Sequence, residues 1–541
     1  MKNARKKNIL LGGGAMEKLD LSIVRTSRLF KPIVATSLVL ALGVSVAVAQ
    51  PTITTGDDTA NQSSSLGITW TESNGAYAPQ NSSDNSTITQ LFLSFNNAET
   101  SEGVTENTSG SYAIKVSSAI RNLTLTSDKT LNLTGGSLEM RAGKYLTSAK
   151  DKIITLDLSE VTGDNYSLIG NLKAGGAGGN SNIATLGGKG IDGSVSVDGD
   201  AGINLTFTED GAKITGGITL SAGGSTNTFT FADGGGSIGG NVNITSAKSS
   251  TFTNLSSIGR NLTISGGTNT FDFIGSTAQI SGKVVNNGGT TTITNQNAFS
   301  IGGGIEKIGD RNQATLSITA NSITINGKIL SQNQRSAGNG INHITLDSGN
   351  NIVSNNTSDT SRVFEAIGSI NRIIFNGVNS SVSGVIYSAA SDYGTSSLND
   401  ITFNSTGNNT ITGKIETRVG NNTITFANGN ENKIKGKIIA TGHTHPTSTN
   451  TIRFEGSGNA TICSADENKN TVAIDAPLGS NIITFNNSGT QTITGIIQTS
   501  VNNWGGGSNT ISSPARVADC WAQASVVLNG LGGSQVGPGG L

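Results

Sequence analysis

The acidic residues best suited to bind calcium follow a glycine-rich stretch in the first half of the chain. Residues 187–192 read GGKGID and match one unit of the calcium-binding nonapeptide pattern GGxGxD. A degenerate neighbour, GGAGGN, begins twelve residues earlier at residue 175, and it lacks the aspartate. Because nine-residue spacing is what lets adjacent loops share an ion, we interpret the stretch as a glycine loop. Asp192, Asp198 and Asp200 remain as weak calcium candidates.

Two of the three histidines lie in the short segment HTHP. His443 and His445 are two residues apart, so in a strand they point to the same side, where a metal ion could bind. No third ligand and no supporting second layer of residues is visible in the sequence. We therefore predict an exposed loop here, with no metal and no other cofactor.

The chain has two cysteines, Cys463 and Cys520. In an oxidising compartment they could pair. Their separation along the sequence does not by itself bring the two Cα atoms within bridging reach. The sequence leaves a disulfide and two free thiols as alternatives.

Catalytic motifs are absent from the sequence. It contains neither a GxSxG nucleophile elbow nor an HExxH zinc motif. Its aspartates and glutamates are scattered, whereas a polysaccharide-cleaving β-helix needs paired carboxylates. We predict no catalytic residues and no enzyme activity. The formal net charge of −1 also gives no electrostatic footprint for nucleic acid.

A repeat of the form Asn-x-Ile-x-Phe must position whatever site the chain carries. From Asn342 to Asn509, successive asparagines of the repeat lie about 23–31 residues apart, and such a period is typical of solenoids. The alternating apolar residues predict short, half-buried strands whose inner side chains stack from coil to coil. The predicted core residues are Ile373, Phe375, Ile401, Phe403, Ile424, Phe426, Ile452, Phe454, Ile483 and Phe485.

The asparagine that opens each unit has two interpretations. In the first, it lies at a turn and stacks on the asparagine of the next coil, in a ladder that satisfies its amides. In the second, which is compatible with the first, asparagine is present because it tolerates left-handed turn geometry. A second core, Ile-x-Gly-x-Ile, follows the first at a nearly constant offset and is also predicted to be a strand, as in residues 411–415. Residues 227–231 (NTFTF) and 269–273 (NTFDF) look like earlier copies of the first core. We predict an all-β, right-handed parallel β-helix.

The N-terminus has the features of a secretory signal peptide. Basic residues precede an apolar run at 33–48, and AVA at 47–49 predicts cleavage between Ala49 and Gln50. Met16 would give a more ordinary length than Met1, and we take it as the start. The predicted domains are a signal peptide at 1–49, an N-terminal cap or irregular region at 50–110, the solenoid at 111–512, and a non-repeat tail at 513–541.

A signal peptide followed by a long, low-charge solenoid rich in Gly, Asn, Ser and Thr resembles the passenger domain of Gram-negative autotransporters. The resemblance covers roughly residues 20–512 and implies an adhesive or structural role at the cell surface or outside the cell. Its partners would be a surface or host ligand, or another copy of the chain. The family's C-terminal outer-membrane barrel is not visible after Ser512, so without a supplied barrel the chain would remain periplasmic. The alternatives are a polysaccharide-active β-helix enzyme and a truncated or frameshifted fragment of a longer autotransporter.

Overall fold

The computed structural model describes residues 153–177, 182–221, 223–308, 313–333, 341–355, 361–389, 397–441, 448–502 and 505–513, together with the strands before residue 153 and at Val526–Asn529. Within these residues the regular secondary structure is β-strand, and no helix is present. Most strands pair in parallel with strands one coil before and one coil after them, so the predicted parallel β-solenoid is confirmed. The predicted signal peptide, Ala49 and Gln50, and Met16 all lie outside the described residues.

Each coil passes through three parallel sheets in turn, which we call the first, second and third sheets. Strands of the first sheet are Asn122–Thr126, Ile153–Leu158, Asn182–Leu186, Ile203–Phe207, Thr226–Thr230, Thr268–Phe273, Gly289–Asn295, Leu398–Phe403, Asn421–Phe426, Thr449–Phe454, Ser480–Phe485 and Ser508–Ser512. Four longer strands run on from the first sheet into the second, namely Ser249–Ile258, Gln313–Asn326, Ile341–Ser354 and Ile370–Ser383.

The second and third sheets form the remaining two sides of the coil. Further strands of the second sheet are Gly190–Asp192, Lys213–Ile214, Gly236–Ile238, Ala278–Ile280, Ala298–Ile301, Asn408–Thr412, Glu431–Lys435, Asn459–Cys463 and Gln491–Thr494. Leu131–Gly143 and Leu168–Ala177 run from the second sheet into the third. The third sheet also contains Ser111–Lys115, Val195–Gly199, Ile218–Leu220, Val242–Ile244, Leu262–Ile264, Val284–Asn286, Ile305–Ile308, Ile329–Gln332, Arg362–Ile367, Val385–Ala389, Ile415–Thr417, Ile438–Ala440, Val472–Asp475, Ile496–Asn502 and Val526–Asn529.

Antiparallel strands occur before the stack becomes regular and again near its C-terminal end. Thr52–Thr55 pairs antiparallel with Asn122–Thr126, and Glu99–Thr100 pairs antiparallel with the start of Leu131–Gly143. Three further strands, Ile68–Ser73, Ala76–Asn81 and Phe95–Asn96, form a separate antiparallel sheet, and Gly505–Gly506 makes a small hairpin with the end of Ile496–Asn502. In the predicted non-repeat tail, Val526–Asn529 extends the third sheet by one parallel strand.

The interior of the solenoid is a set of ladders in which like residues stack on one another. Ile424 pairs in register with Ile401 and Ile452, and all ten of the isoleucines and phenylalanines predicted as repeat core are at most 2% exposed. The ring of Phe426 stacks on those of Phe403 and Phe454, with centroids 4.8 Å apart on both sides. Since this spacing equals the rung separation of a parallel sheet, each ring fills the space between its two neighbours.

The repeat asparagines form a continuous ladder from Asn342 to Asn509. Asn422 donates one amide hydrogen bond to Oδ1 of Asn450 at 2.9 Å and another to the carbonyl oxygen of Glu416 at 3.0 Å. It accepts a bond from Nδ2 of Asn399 at 2.8 Å. The ladder asparagines face inward, so the stacking interpretation is confirmed. Their expected position at a turn was wrong, because Asn422 lies inside the strand Asn421–Phe426 and no ladder asparagine has a positive φ.

The second predicted core is a corner rather than a strand. Ile411 lies in the second sheet and Ile415 begins the third, with Gly413 between them at φ +131°. A Cβ on Gly413 would lie 2.4 Å from the carbonyl oxygen of Gly384 in the neighbouring coil, so only glycine lets the coils stack closely here. Alternation continues through the bend, which is why the sequence pattern of a corner looked like that of a strand.

The earlier copies of the repeat are offset by two residues from the later ones. Following the pairing from coil to coil, Asn269 lies in register with Thr291, Leu316 and Ile344, and therefore at the isoleucine position. Its neighbour Phe271 lies in the phenylalanine column. The matching of residues 269–273 and 227–231 to the later units was therefore wrong in register. A shift of two keeps the same side chains inside, so alternation alone does not reveal it.

Candidate functional site

The three aspartates proposed for calcium do not lie together. Asp192 ends a strand of the second sheet and accepts a hydrogen bond from Oγ1 of Thr215 at 2.7 Å. Asp198 lies near the end of the third-sheet strand Val195–Gly199, and Asp200 follows that strand directly. Five extended residues span roughly 16 Å, so one ion does not reach both places. Within the described residues, no group of three or more His, Cys, Asp or Glu side chains could hold a metal ion.

Of the remaining sequence candidates, the structure places only Cys463. His443 and His445, like Cys520, lie outside the described residues, so their metal and disulfide alternatives stay as predictions. Cys463 ends a strand of the second sheet, is 3% exposed, and its thiol donates to the carbonyl oxygen of Ile434. Burial raises the pKa of the Cys463 thiol, which keeps it in the unreactive protonated form at neutral pH.

The connection after Cys463 is held by charged and polar contacts. Glu467 pairs with Lys433 and Lys435 of the previous coil at 3.0 and 3.1 Å, and these lysines hold the pKa of its carboxyl below the usual value. Asp466 accepts from the hydroxyls of Ser464 and Thr471, which lowers its pKa as well. Both carboxylates are thus ionised at neutral pH and fasten the 464–471 connection over the second sheet.

A buried carboxylate in the third sheet forms ion pairs with two basic side chains. Glu365 is 3% exposed and pairs with Lys328 at 2.5 Å and with Arg362, whose guanidinium lies 3.6 Å from the ring centroid of Tyr387. A buried acid is stable only when its charge is compensated, and here two cations compensate it. We assign this cluster a structural role.

The connections from the third sheet to the first sheet of the next coil vary in length. Connections of eight residues occur at 333–340, 390–397 and 441–448, and they alternate with shorter ones at 368–369, 418–420 and 476–479. The long ones therefore arise on every second coil, about 9.6 Å apart at one end of the first sheet. Loops that vary on one side of a constant solenoid are where such proteins carry binding residues. We call this edge the loop corner.

The outer side of the first sheet carries a regular array of hydroxyl groups that our sequence reasoning missed. Two ranks of residues run across five consecutive coils, and each rank follows the strand register. The first rank is Thr226, Ser249, Thr268, Thr290 and Thr315; the second is Thr228, Thr251, Thr270, Thr292 and Ser317. We call these ten positions the threonine face. The signal was available as Thr-x-Thr in residues 226–228, 268–270 and 290–292.

No family model, curated protein or solved structure matches this chain. Among the residues that the structure describes, no helix is long and apolar enough to span a membrane.

Proposed function

We propose that this chain is an exported, autotransporter-like passenger that acts in adhesion at the cell surface or outside the cell. The observation that carries the proposal is the loop corner: long connections recur there on three alternate coils along one edge, whereas the long connections between the second and third sheets, at 355–361 and 464–471, do not recur in this way. Such a scaffold is rigid because each coil is packed on its neighbours, while the connections are free to vary in sequence. Export follows from the signal peptide expected at 1–49, with the mature chain beginning at Gln50.

The residue types in the long connections suit recognition of a polar surface. Residues 333–340 include Arg335, residues 390–397 include Asp392 and Tyr393, and residues 441–448 include His443 and His445. Arginine and tyrosine are enriched in binding hot spots, because both combine a large contact area with hydrogen-bonding groups. In this proposal the three connections together contact one ligand, since spacing of about 9.6 Å between alternate coils lies within the span of a single interface.

Shortening the long connections tests the proposal. We expect that replacing 441–448 with the three residues of 418–420, and treating 333–340 and 390–397 in the same way, will leave the solenoid folded, because short and long connections already join the same corner. Retention of the purified chain on bacterial or host cells should fall at least tenfold. The matched control replaces 418–420 with Gly-Ser-Gly and should leave retention unchanged.

Two outcomes would contradict the adhesive role. One is full retention on cells after all three connections are shortened in a chain that still gives a β-type circular dichroism spectrum. The other is the release of new reducing ends when the intact chain is incubated with glycans, abolished by single aspartate substitutions. That second result would favour the polysaccharide-active alternative.

A further inference from the structure

We propose that the threonine face is a self-recognition surface, through which two copies of this chain pack side by side. The face lies on the solvent side of the first sheet, and its ten side chains are half-buried or exposed. All ten are hydroxyl residues, eight threonines and two serines, and none is charged. The inference goes beyond the loop corner, because it concerns another side of the coil and another partner.

The regular spacing of the face favours a second copy as its partner. Hydroxyls recur about 4.8 Å apart between coils and about two residues apart along each strand. A ligand that engages the whole face must repeat with the same two spacings, and another copy of the same sheet does so by construction. Sheets of this kind pack face to face about 10 Å apart with interdigitated side chains.

Threonine is chemically suited to pairing with itself. Its hydroxyl both donates and accepts, so the same group on a partner can satisfy it in either direction. Contacts of this kind already exist within the face, where Oγ of Ser249 donates to Oγ1 of Thr226 at 3.3 Å. Because threonine is β-branched, its side chain is restricted to few rotamers and little entropy is lost on association.

Charges beside the face limit its extent and favour one arrangement. In the next coils the first rank continues as His343, Arg372 and Asp400, so the uncharged region ends there along that rank. The second rank continues without charge as Thr345, Ile374 and Thr402. Asp272 lies at the edge of the central coil, where it accepts from Oγ1 of Thr294 at 2.8 Å. A two-fold axis along the rank that contains Thr270 brings Asp272 against a threonine hydroxyl of the other copy and keeps the two Asp272 carboxylates apart.

The size of the face indicates a weak dimer. Five rungs of about 4.8 Å and strands of about 17 Å give roughly 400 Å² per copy, or about 800 Å² in total. Stable complexes bury about 1,200–2,000 Å², so we expect association only at high concentration. Many copies on one surface would satisfy that condition, because linked weak contacts reinforce each other. This last consequence alone rests on the proposed surface role; the pairing in solution does not.

The test is sedimentation equilibrium of the full secreted chain, from micromolar to millimolar concentration, with reductant present to exclude disulfide-linked dimers. We expect a concentration-dependent dimer. Thr270→Lys places two like charges at the axis and should raise the dimer dissociation constant at least tenfold. Thr263→Lys, on the outer side of the third sheet, should leave it unchanged. An equimolar mixture of Thr270→Lys and Thr270→Asp chains should associate again, because position 270 meets itself.

A monomer across the whole range would overturn the proposal, as would a dimer that Thr270→Lys does not weaken. Equal weakening by Thr263→Lys would show a general effect of added charge and would also overturn it. So would a monomeric chain whose threonine face instead binds a polysaccharide, in an assay where Thr270→Lys abolishes retention on that polysaccharide. Circular dichroism of each variant is the control for folding: an unchanged β-type spectrum separates loss of the dimer from loss of structure.

Discussion

Replacing Phe426 with alanine is expected to destabilise the coils around it by about 3–5 kcal/mol, the cost typical of truncating a buried phenylalanine. The ring is fully buried and stacks on Phe403 and Phe454 at 4.8 Å on each side. Its removal leaves a cavity that neighbouring coils can fill only by shifting the strand register. The loss should appear in hydrogen exchange as faster opening of the strands around residue 426.

Thr425→Ala is the matched control for Phe426→Ala. Thr425 is the adjacent residue, points outward and is half-buried, so its truncation should cost well under about 1 kcal/mol. Each coil contacts only its neighbours, so limited proteolysis of Phe426→Ala should cut nearby coils before distant ones. A greater loss of stability in Thr425→Ala than in Phe426→Ala would mean that the inward-facing and outward-facing side chains of this strand have been exchanged.

Replacing Asn422 with alanine should be comparably damaging, for a different physical reason. The substitution removes two donated hydrogen bonds and one accepted bond from the interior. It leaves an N–H of Asn399, Oδ1 of Asn450 and the Glu416 carbonyl oxygen without that partner. A buried polar group without its partner costs about 1–3 kcal/mol, so we expect a total of roughly 3 kcal/mol or more.

Asn421 provides a control of the same residue type one position earlier. It lies at the start of the same strand, half-buried, and its Oδ1 accepts from the backbone N–H of Thr449 at 3.2 Å. Asn421→Ala should cost about 1 kcal/mol or less, because water can replace the lost contact. Urea unfolding measures the free energy of unfolding of both variants. An equal loss of stability in Asn421→Ala and Asn422→Ala would contradict a ladder role for Asn422.

The sequence was sufficient to predict the stacked strands of the first sheet, but not the corner that separates the second sheet from the third. Alternation of isoleucine and phenylalanine, repeated once in every coil, identified the inward positions, because only stacked coils bury such short strands. The same alternation runs through Gly413 at the bend between the second and third sheets, so the pattern did not separate strand from corner. Coil shape depends there on glycine conformation and on backbone approach between coils, which a linear pattern does not encode.

Register and surface were harder to predict than burial. Asn269 and Asn371 open similar motifs, yet Asn269 lies at the isoleucine position of the stack and Asn371 in the asparagine ladder. A two-residue shift keeps the same side chains on the inner face, and only contacts between coils determine the register.

The threonine face was missed because a threonine on a strand is expected from β-propensity alone. Its significance comes from alignment across coils, which appears only once the register is known.

The most direct test of the stacked solenoid is the distance between spin labels placed on its outer side. Thr270 connects through residues 292, 317, 345, 374 and 402 to Thr425, and onward through residue 453 to Thr484. At about 4.8 Å per rung, labels at Thr270 and Thr425 should lie roughly 29 Å apart, and labels at Thr270 and Thr484 roughly 38 Å apart. Two narrow distributions near these values, measured by pulsed electron spin resonance, are the predicted result. Broad distributions, or distances that do not increase with the number of coils, would contradict the fold and the surfaces inferred from it.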